Sequence, residues 1–173
     1  MKRLFSLFFI SLNLHAVLLI SPYDAMKLHY GEEAVIEKHS ILLNKKEAKE
    51  VTKLAQTKLK TKIYKIYRAT KDDKLLGFGI LVLSKVRSKY SAILSIIALD
   101  ASLTTIETIS FNEPPEYIPS KSWITVLENK KLSPSLKVGK DIPSITAATM
   151  SARAATKSAR IALAIFEVKF KEK

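Results

Sequence analysis

Cysteine is absent from the 173 residues. The chain therefore has no disulfide framework, no thiolate zinc or iron–sulfur site, no Cys-attached haem and no Cys nucleophile. An acylated N-terminal Cys is excluded too. Histidine is scarce: His15, His29 and His39 show no metal-ligand spacing, and no catalytic or metal-binding residue is assigned. Glycine is scarce as well, four in all. Gly77-Phe78-Gly79 lacks the third glycine and the βαβ setting of a dinucleotide fingerprint. Acidic residues are outnumbered, 16 Asp+Glu against 29 Lys+Arg, for a formal net charge of +13. Such a surplus suits phosphates, acidic proteins or anionic lipid. No basic stripe interleaved with aromatics accompanies it, which argues against nucleic acid as a partner. What the chain has in quantity is apolar: 47% hydrophobic residues, ample for the core of one domain and incompatible with disorder throughout.

Lys2 and Arg3 precede an uncharged, apolar run from Leu4 to Ile20. A short basic start followed by such a run is the layout of a secretory signal, and its length is near the lower limit for an N-terminal membrane anchor. Tyr23-Asp24-Ala25 offers a cleavage position with a small last residue but a bulky Tyr. Residues 1–25 are thus read as signal peptide or anchor, placing the protein in the periplasm or on the outer face of the inner membrane. Their loss removes two bases and one acid, so the remainder stays strongly basic.

Residues 26–173 are read as one compact α+β domain, with an N-terminal helical segment over 26–60. Asn44-Lys45-Lys46-Glu47 has the form of a capping box. Behind it Ala48, Val51, Leu54, Ala55 and Leu59 recur at helical spacing, predicting an amphipathic helix over 45–59. From Thr61 the pattern becomes that of strands. One runs to a polar turn at Lys71-Asp72-Asp73-Lys74, and Leu75–Ser84, Tyr90–Leu99 and Leu103–Ser110 follow. The simplest topology is an antiparallel meander of about four or more strands, with Ile93–Ile97 central and Gly77 and Gly79 permitting close backbone approach. Asn112-Glu113-Pro114-Pro115-Glu116-Tyr117-Ile118-Pro119 is a stiff surface loop, because proline fixes φ and removes donors. The single tryptophan, Trp123, lies just behind it. A final helix should carry Met150, Ala154, Ile161 and Ile165 on one face and Arg153, Lys157 and Arg160 on another, the latter a solvated face or a docking patch for an acidic redox partner.

Small and hydroxyl residues crowd the start of that helix in Thr146-Ala147-Ala148-Thr149-Met150-Ser151. Unpaired first-turn N–H groups and the helix dipole favour an anion there. Ser144 or Thr146 acting as an ordinary N-cap is the simpler reading of the same residues.

This segment resembles the Ser-Gly-Ala-Thr-x-Thr/Ser motif of the FMN-binding domain family, which includes flavin-bearing subunits of sodium-pumping NADH–quinone reductase and the Rnf complex. Three further blocks resemble the family in the same order: Tyr67–Phe78, Ile96–Ile109 and Asn112–Tyr117. The resemblance spans roughly residues 61–165, within an FMN-binding domain over 61–173. Ala147 stands where glycine is usual, and Pro143 where an acidic residue is common, with Asp141 two residues displaced. The resemblance implies FMN attached by a phosphoester to Thr149, installed by a flavin transferase. It further implies that Thr146, Ala147, Ala148, Met150 and Ser151 surround the phosphate, and that Glu113, Pro114, Tyr117 or Trp123 line the flavin ring. The implied function is extracytoplasmic electron transfer between membrane and periplasmic donor and acceptor proteins. The charge alone supports a different expectation: a flavin-free exported basic domain that binds acidic partners or anionic membrane.

Overall fold

The computed structural model describes residues 17–171. Residues 1–16, with Lys2, Arg3 and most of the apolar run, lie outside the described residues. Six antiparallel strands form one sheet: β1 (Val17–Leu18), β2 (Val35–Leu42), β3 (Ile63–Lys71), β4 (Lys74–Lys85), β5 (Tyr90–Ala98) and β6 (Leu103–Phe111). Their order is β1-β6-β5-β4-β3-β2. Strands β3 to β6 are the expected meander, with β5 interior. Asp72 and Asp73 both take positive φ, 48° and 57°, as a tight two-residue hairpin turn demands. Strand β2 was not foreseen. It is an edge strand in which only Ile36 and Ile41 are even half-buried, so the alternation that marks a strand is missing from its sequence.

The sheet carries helices on both faces, as the α+β reading expected. On one face lie α2 (Lys45–Ala55) and α4 (Thr149–Lys169), and on the other α1 (Pro22–Tyr30). The α4 face of the sheet presents Ile66, Phe78, Ile80, Val82, Ile93 and Ile97, all buried. Helix α4 meets them with alanines: Ala152, Ala155, Ala159 and Ala162 are buried, and such small side chains let the helix axis come close. The buried Ser158 hydroxyl shares a hydrogen bond of 2.7 Å with Ser84 on β4. The Asn44–Glu47 capping box closes in both directions, at 2.9 and 2.8 Å. Helix α2 ends at Ala55, earlier than expected, because Gln56 adopts a left-handed cap with φ 50°.

Helix α1 begins at Ser21, whose side chain accepts from the Asp24 N–H. It buries Ala25 and Met26 against Tyr67, Leu94 and Ile96. Gly77 and Gly79 make room for it. A Cβ at Gly79 would stand 2.6 Å from the Met26 sulfur, and one at Gly77 would collide with the Tyr30 hydroxyl. The leader boundary expected at Ala25 therefore falls inside a packed helix. Among the described residues no helix is long and apolar enough to cross a membrane.

The meander also sorts charge. Asp72, Asp73 and Asp100 lie in the β3–β4 and β5–β6 turns at one end of the sheet, while Lys85, Arg87 and Lys89 flank or form the β4–β5 turn at the other. At the acidic end Lys71 pairs with Glu33, and Lys131 with Asp100.

Candidate functional site

The Thr146–Ser151 segment forms the turn into α4. The helix begins at Thr149, and its cap residue is Ala148, with no side-chain capping bond. Neither Ser144 nor Thr146 serves as the N-cap. The turn is made instead by Ala147, whose φ of 62° is left-handed. This is the position at which the resembling motif has glycine, the residue that tolerates such a φ without cost. The Ala148 N–H closes on the Ile145 carbonyl at 3.1 Å. The Thr149 hydroxyl donates to the same carbonyl at 3.0 Å. Thr149 is half-buried, while Thr146, Ala147 and Met150 are exposed. Met150, expected on the apolar face, is 46% exposed. The Ser151 hydroxyl is buried and lacks a hydrogen-bond partner. No acidic residue stands in the first turn, so the positive end of the helix dipole is uncompensated by the helix's own side chains.

The Glu/Pro loop reaches this turn from the side. Ala154, one turn into α4, packs with Val86 and Phe111, and Tyr117 and Ile118 lie against that cluster. Arg87 sits over the Tyr117 ring, 5.8 Å from its centroid. Glu113 turns inward to the β4–β5 turn: one carboxylate oxygen accepts the N–H groups of Ser88 and Lys89 at 2.8 and 2.9 Å, and that of Arg87 at 3.3 Å. These bonds hold its pKa below the ordinary carboxylate value. Pro114 is exposed, and its carbonyl accepts from the Tyr117 N–H. Trp123 is 8% exposed within the main core. Its indole N–H donates to the Pro143 carbonyl at 2.9 Å, so it fixes the segment leading into the turn. Asp141 is held in the connector by the Ser135 hydroxyl at 2.5 Å. Tyr117 thus comes close to the start of α4, and Trp123 acts on it through the backbone.

The basic stripe of α4 divides. Arg153 is exposed and Lys157 half-buried. Both line a cavity of about 230 Å³ with Gln56, Lys137 and Thr156. Lys157 also borders a second cavity, about 260 Å³, shared with Lys58, Lys60, Tyr64 and Lys85. Arg160, expected on a solvated face, is instead 4% exposed. Its guanidinium donates to the carbonyls of Ala55 at 2.9 Å, Ser133 at 2.6 Å, Leu136 at 3.0 Å and Leu54 at 3.3 Å. The cation thus closes the C-terminal end of α2, where the helix dipole is negative, and clamps the connector. A signal was present in the sequence: Arg160 is the one charge between Ser158 and Phe166, in an otherwise apolar and small-residue run. No protein-family model matches this chain, and no curated protein matches it.

Proposed function

We propose that the chain is an extracytoplasmic electron carrier whose FMN is esterified to Thr149, serving membrane and periplasmic redox partners. One observation carries the reading: the left-handed Ala147 sits where the resembling motif has glycine, two residues before a first-turn threonine. The residues fit the group. The turn presents small or exposed side chains, lacks an acid, and leaves the Thr149 and Met150 N–H groups without intrahelical acceptors. FMN, when bound, supplies the redox chemistry, and the protein supplies position and electrostatics.

The Thr149 oxygen would hold the phosphate as an ester, made during maturation by a flavin transferase that breaks the diphosphate bond of a flavin dinucleotide, passes the FMN phosphoryl to the hydroxyl and releases the nucleoside monophosphate with the hydroxyl proton. With the hydroxyl esterified, the Ile145 carbonyl would lose its bond from Thr149 and keep the one from the Ala148 N–H. First-turn N–H groups and Arg153, one turn further on, favour the phosphodiester charge. Trp123 and Glu113 act at a distance, one fixing the segment before the turn and the other the β4–β5 turn beside Tyr117.

The test is expression of the full chain with its export machinery and a flavin transferase, followed by denaturing-gel fluorescence and intact mass. The wild type and Thr149→Ser carry one FMN each. Thr149→Ala is colourless yet folded, because alanine suits a first helical turn. Colourless wild-type protein, or flavin mapped to Thr146, Ser151 or Thr156, overturns the proposal.

A further inference from the structure

The sheet face that carries α1 is covered over only part of its length. Beyond the helix, the two ends of one cross-strand row are exposed. Leu42 pairs with Ile63, Leu83 with Ala92, Ala92 with Ser110, and Ser110 with Leu18. Ile63 and Leu83, two residues beyond the last β3–β4 pair at Lys65 and Leu81, lie on the same face and both border the cavity shared with Lys58, Lys60 and Lys85. Leu18, Leu42, Ile63 and Leu83 are 65%, 66%, 57% and 63% exposed. One step outward stand Tyr90, 51% exposed, and its partner Lys85. Leu42, Ile63 and Leu83 stand on three neighbouring strands as one exposed apolar patch, with Leu18 at the far edge beyond the buried Ala92 and half-buried Ser110, unlike the single exposed hydrophobics that any surface shows.

Two features say what covers it. The first is charge. Lys65 lies in the adjoining inner row and Lys85 in the outer one, while the Lys60 ammonium stands 5.1 Å over the Tyr90 ring. Among the described residues none of these lysines is in an ion pair; the acidic turns lie at the far end of the sheet, and Glu113, at this end, is hydrogen-bonded to the N–H groups of the β4–β5 turn. Glu107, the acid of the inner row, is three strands away from Lys65 beyond Leu81 and Leu94. The second feature is the path of the chain. Leu18, near the end of the uncharged Leu4–Ile20 run, enters the sheet at this row opposite Ser110. An apolar row bordered by lysines, with an aromatic ring at its rim, has the chemistry of a surface that rests in the headgroup layer of an anionic bilayer.

We infer that the Leu18–Leu83–Ile63–Leu42 row is a membrane-docking surface for anionic phospholipid, with Lys60, Lys65 and Lys85 reaching the headgroups. Helix α4 begins at this end, since Ala154 packs on Val86 and Phe111 where β4 and β6 finish. The helix lies on the opposite face of the sheet from the row. The inference does not depend on flavin.

The cysteine-free chain makes the test clean. Single Cys replacements in the full-length protein, Ile63→Cys, Leu83→Cys and, at the opposite end, Lys74→Cys, carry an environment-sensitive fluorophore. Vesicles of phosphatidylcholine with phosphatidylglycerol are compared with phosphatidylcholine alone. Labels at 63 and 83 should shift to the blue and be quenched by nitroxide lipid on the anionic vesicles, with position 74 unchanged. Adding Lys60→Gln and Lys85→Gln should lower the inserted population by about fivefold per lysine removed. Labels at 63 and 83 that stay as wet as position 74 on vesicles carrying bound protein overturn the inference. So do labels already shielded before lipid is added, which would assign the row to a second copy or to the chain's own N-terminal segment. An equal response on neutral vesicles overturns the anionic assignment.

Discussion

Replacing Arg160 by methionine keeps an apolar stem of similar length and removes four donor contacts at once. Two of those contacts, to the Ala55 and Leu136 carbonyls, are fully buried, and the other two are part-buried. A buried acceptor left without a donor costs about 1–3 kcal/mol, while an acceptor near the surface regains water. The cavity bordered by Ala55, Gln56 and Arg160 offers water a route to the α2 end. Release from burying a guanidinium offsets part of the loss. The balance is a destabilisation of about 3 kcal/mol. For a domain of this size that lowers Tm by about 6–12 °C. Urea unfolding followed by circular dichroism measures it, with the m-value checked for constancy. Arg160→Lys keeps the charge but loses the planar fork, and should fall between wild type and Arg160→Met. Arg153→Met, on the exposed side of α4, should lie within about 0.5 kcal/mol of wild type. If Arg160→Met were as mild as Arg153→Met, the clamp would not be holding α2 and the connector together.

Gly77→Ala should cost about 2 kcal/mol or more, because the new methyl meets both the Tyr30 hydroxyl and the Ile97 carbonyl and α1 must lift; faster hydrogen exchange confined to α1 and its contacts is the readout. Ala147→Gly should be neutral or stabilising by up to about 1 kcal/mol, since relief of the left-handed alanine outweighs the added chain entropy, whereas Ala147→Val should destabilise; thermal melts of the two variants should move in opposite senses. Glu113 makes stability pH-dependent in a defined direction. Its folded pKa lies below the ordinary 4.5, so its contribution is complete above that value and is lost as pH falls through the lower folded value. Amide exchange at Ser88 and Lys89 should quicken there, and Glu113→Gln should flatten the dependence.

Legibility in the sequence followed burial. The meander was readable because β3 to β6 alternate or run apolar between polar turns, and α2 because Asn44 and Glu47 announce it. Strand β2 was hidden by its edge position, where Glu37, Lys38 and His39 face solvent and leave no period. Helix α1 carried ordinary start signals in Ser21 and Pro22, but these sat inside a stretch that also reads as a leader. At the candidate site the sequence marked the turn and its hydroxyls. It could not show that Ala147, with an unremarkable side chain, would take a left-handed φ. Nor could it show that Trp123 works through one backbone carbonyl twenty residues away. Arg160 was misjudged because helical periodicity alone gives α4 a solvent side, whereas α2 and the 133–142 connector enclose it almost all round.

The sorting of charge along the sheet gives the domain a dipole moment as well as a net charge. Net charge decides whether a negatively charged surface attracts it; the dipole decides which end arrives first. At physiological ionic strength the torque acts only over about the last 8 Å of approach, so alignment and contact are nearly one event. Two variants of equal total charge should then behave differently on a negatively charged chromatographic resin. Lys85→Gln, at the leading end, should elute earlier than Lys74→Gln, at the trailing end. A molecule with evenly spread charge would not tell them apart.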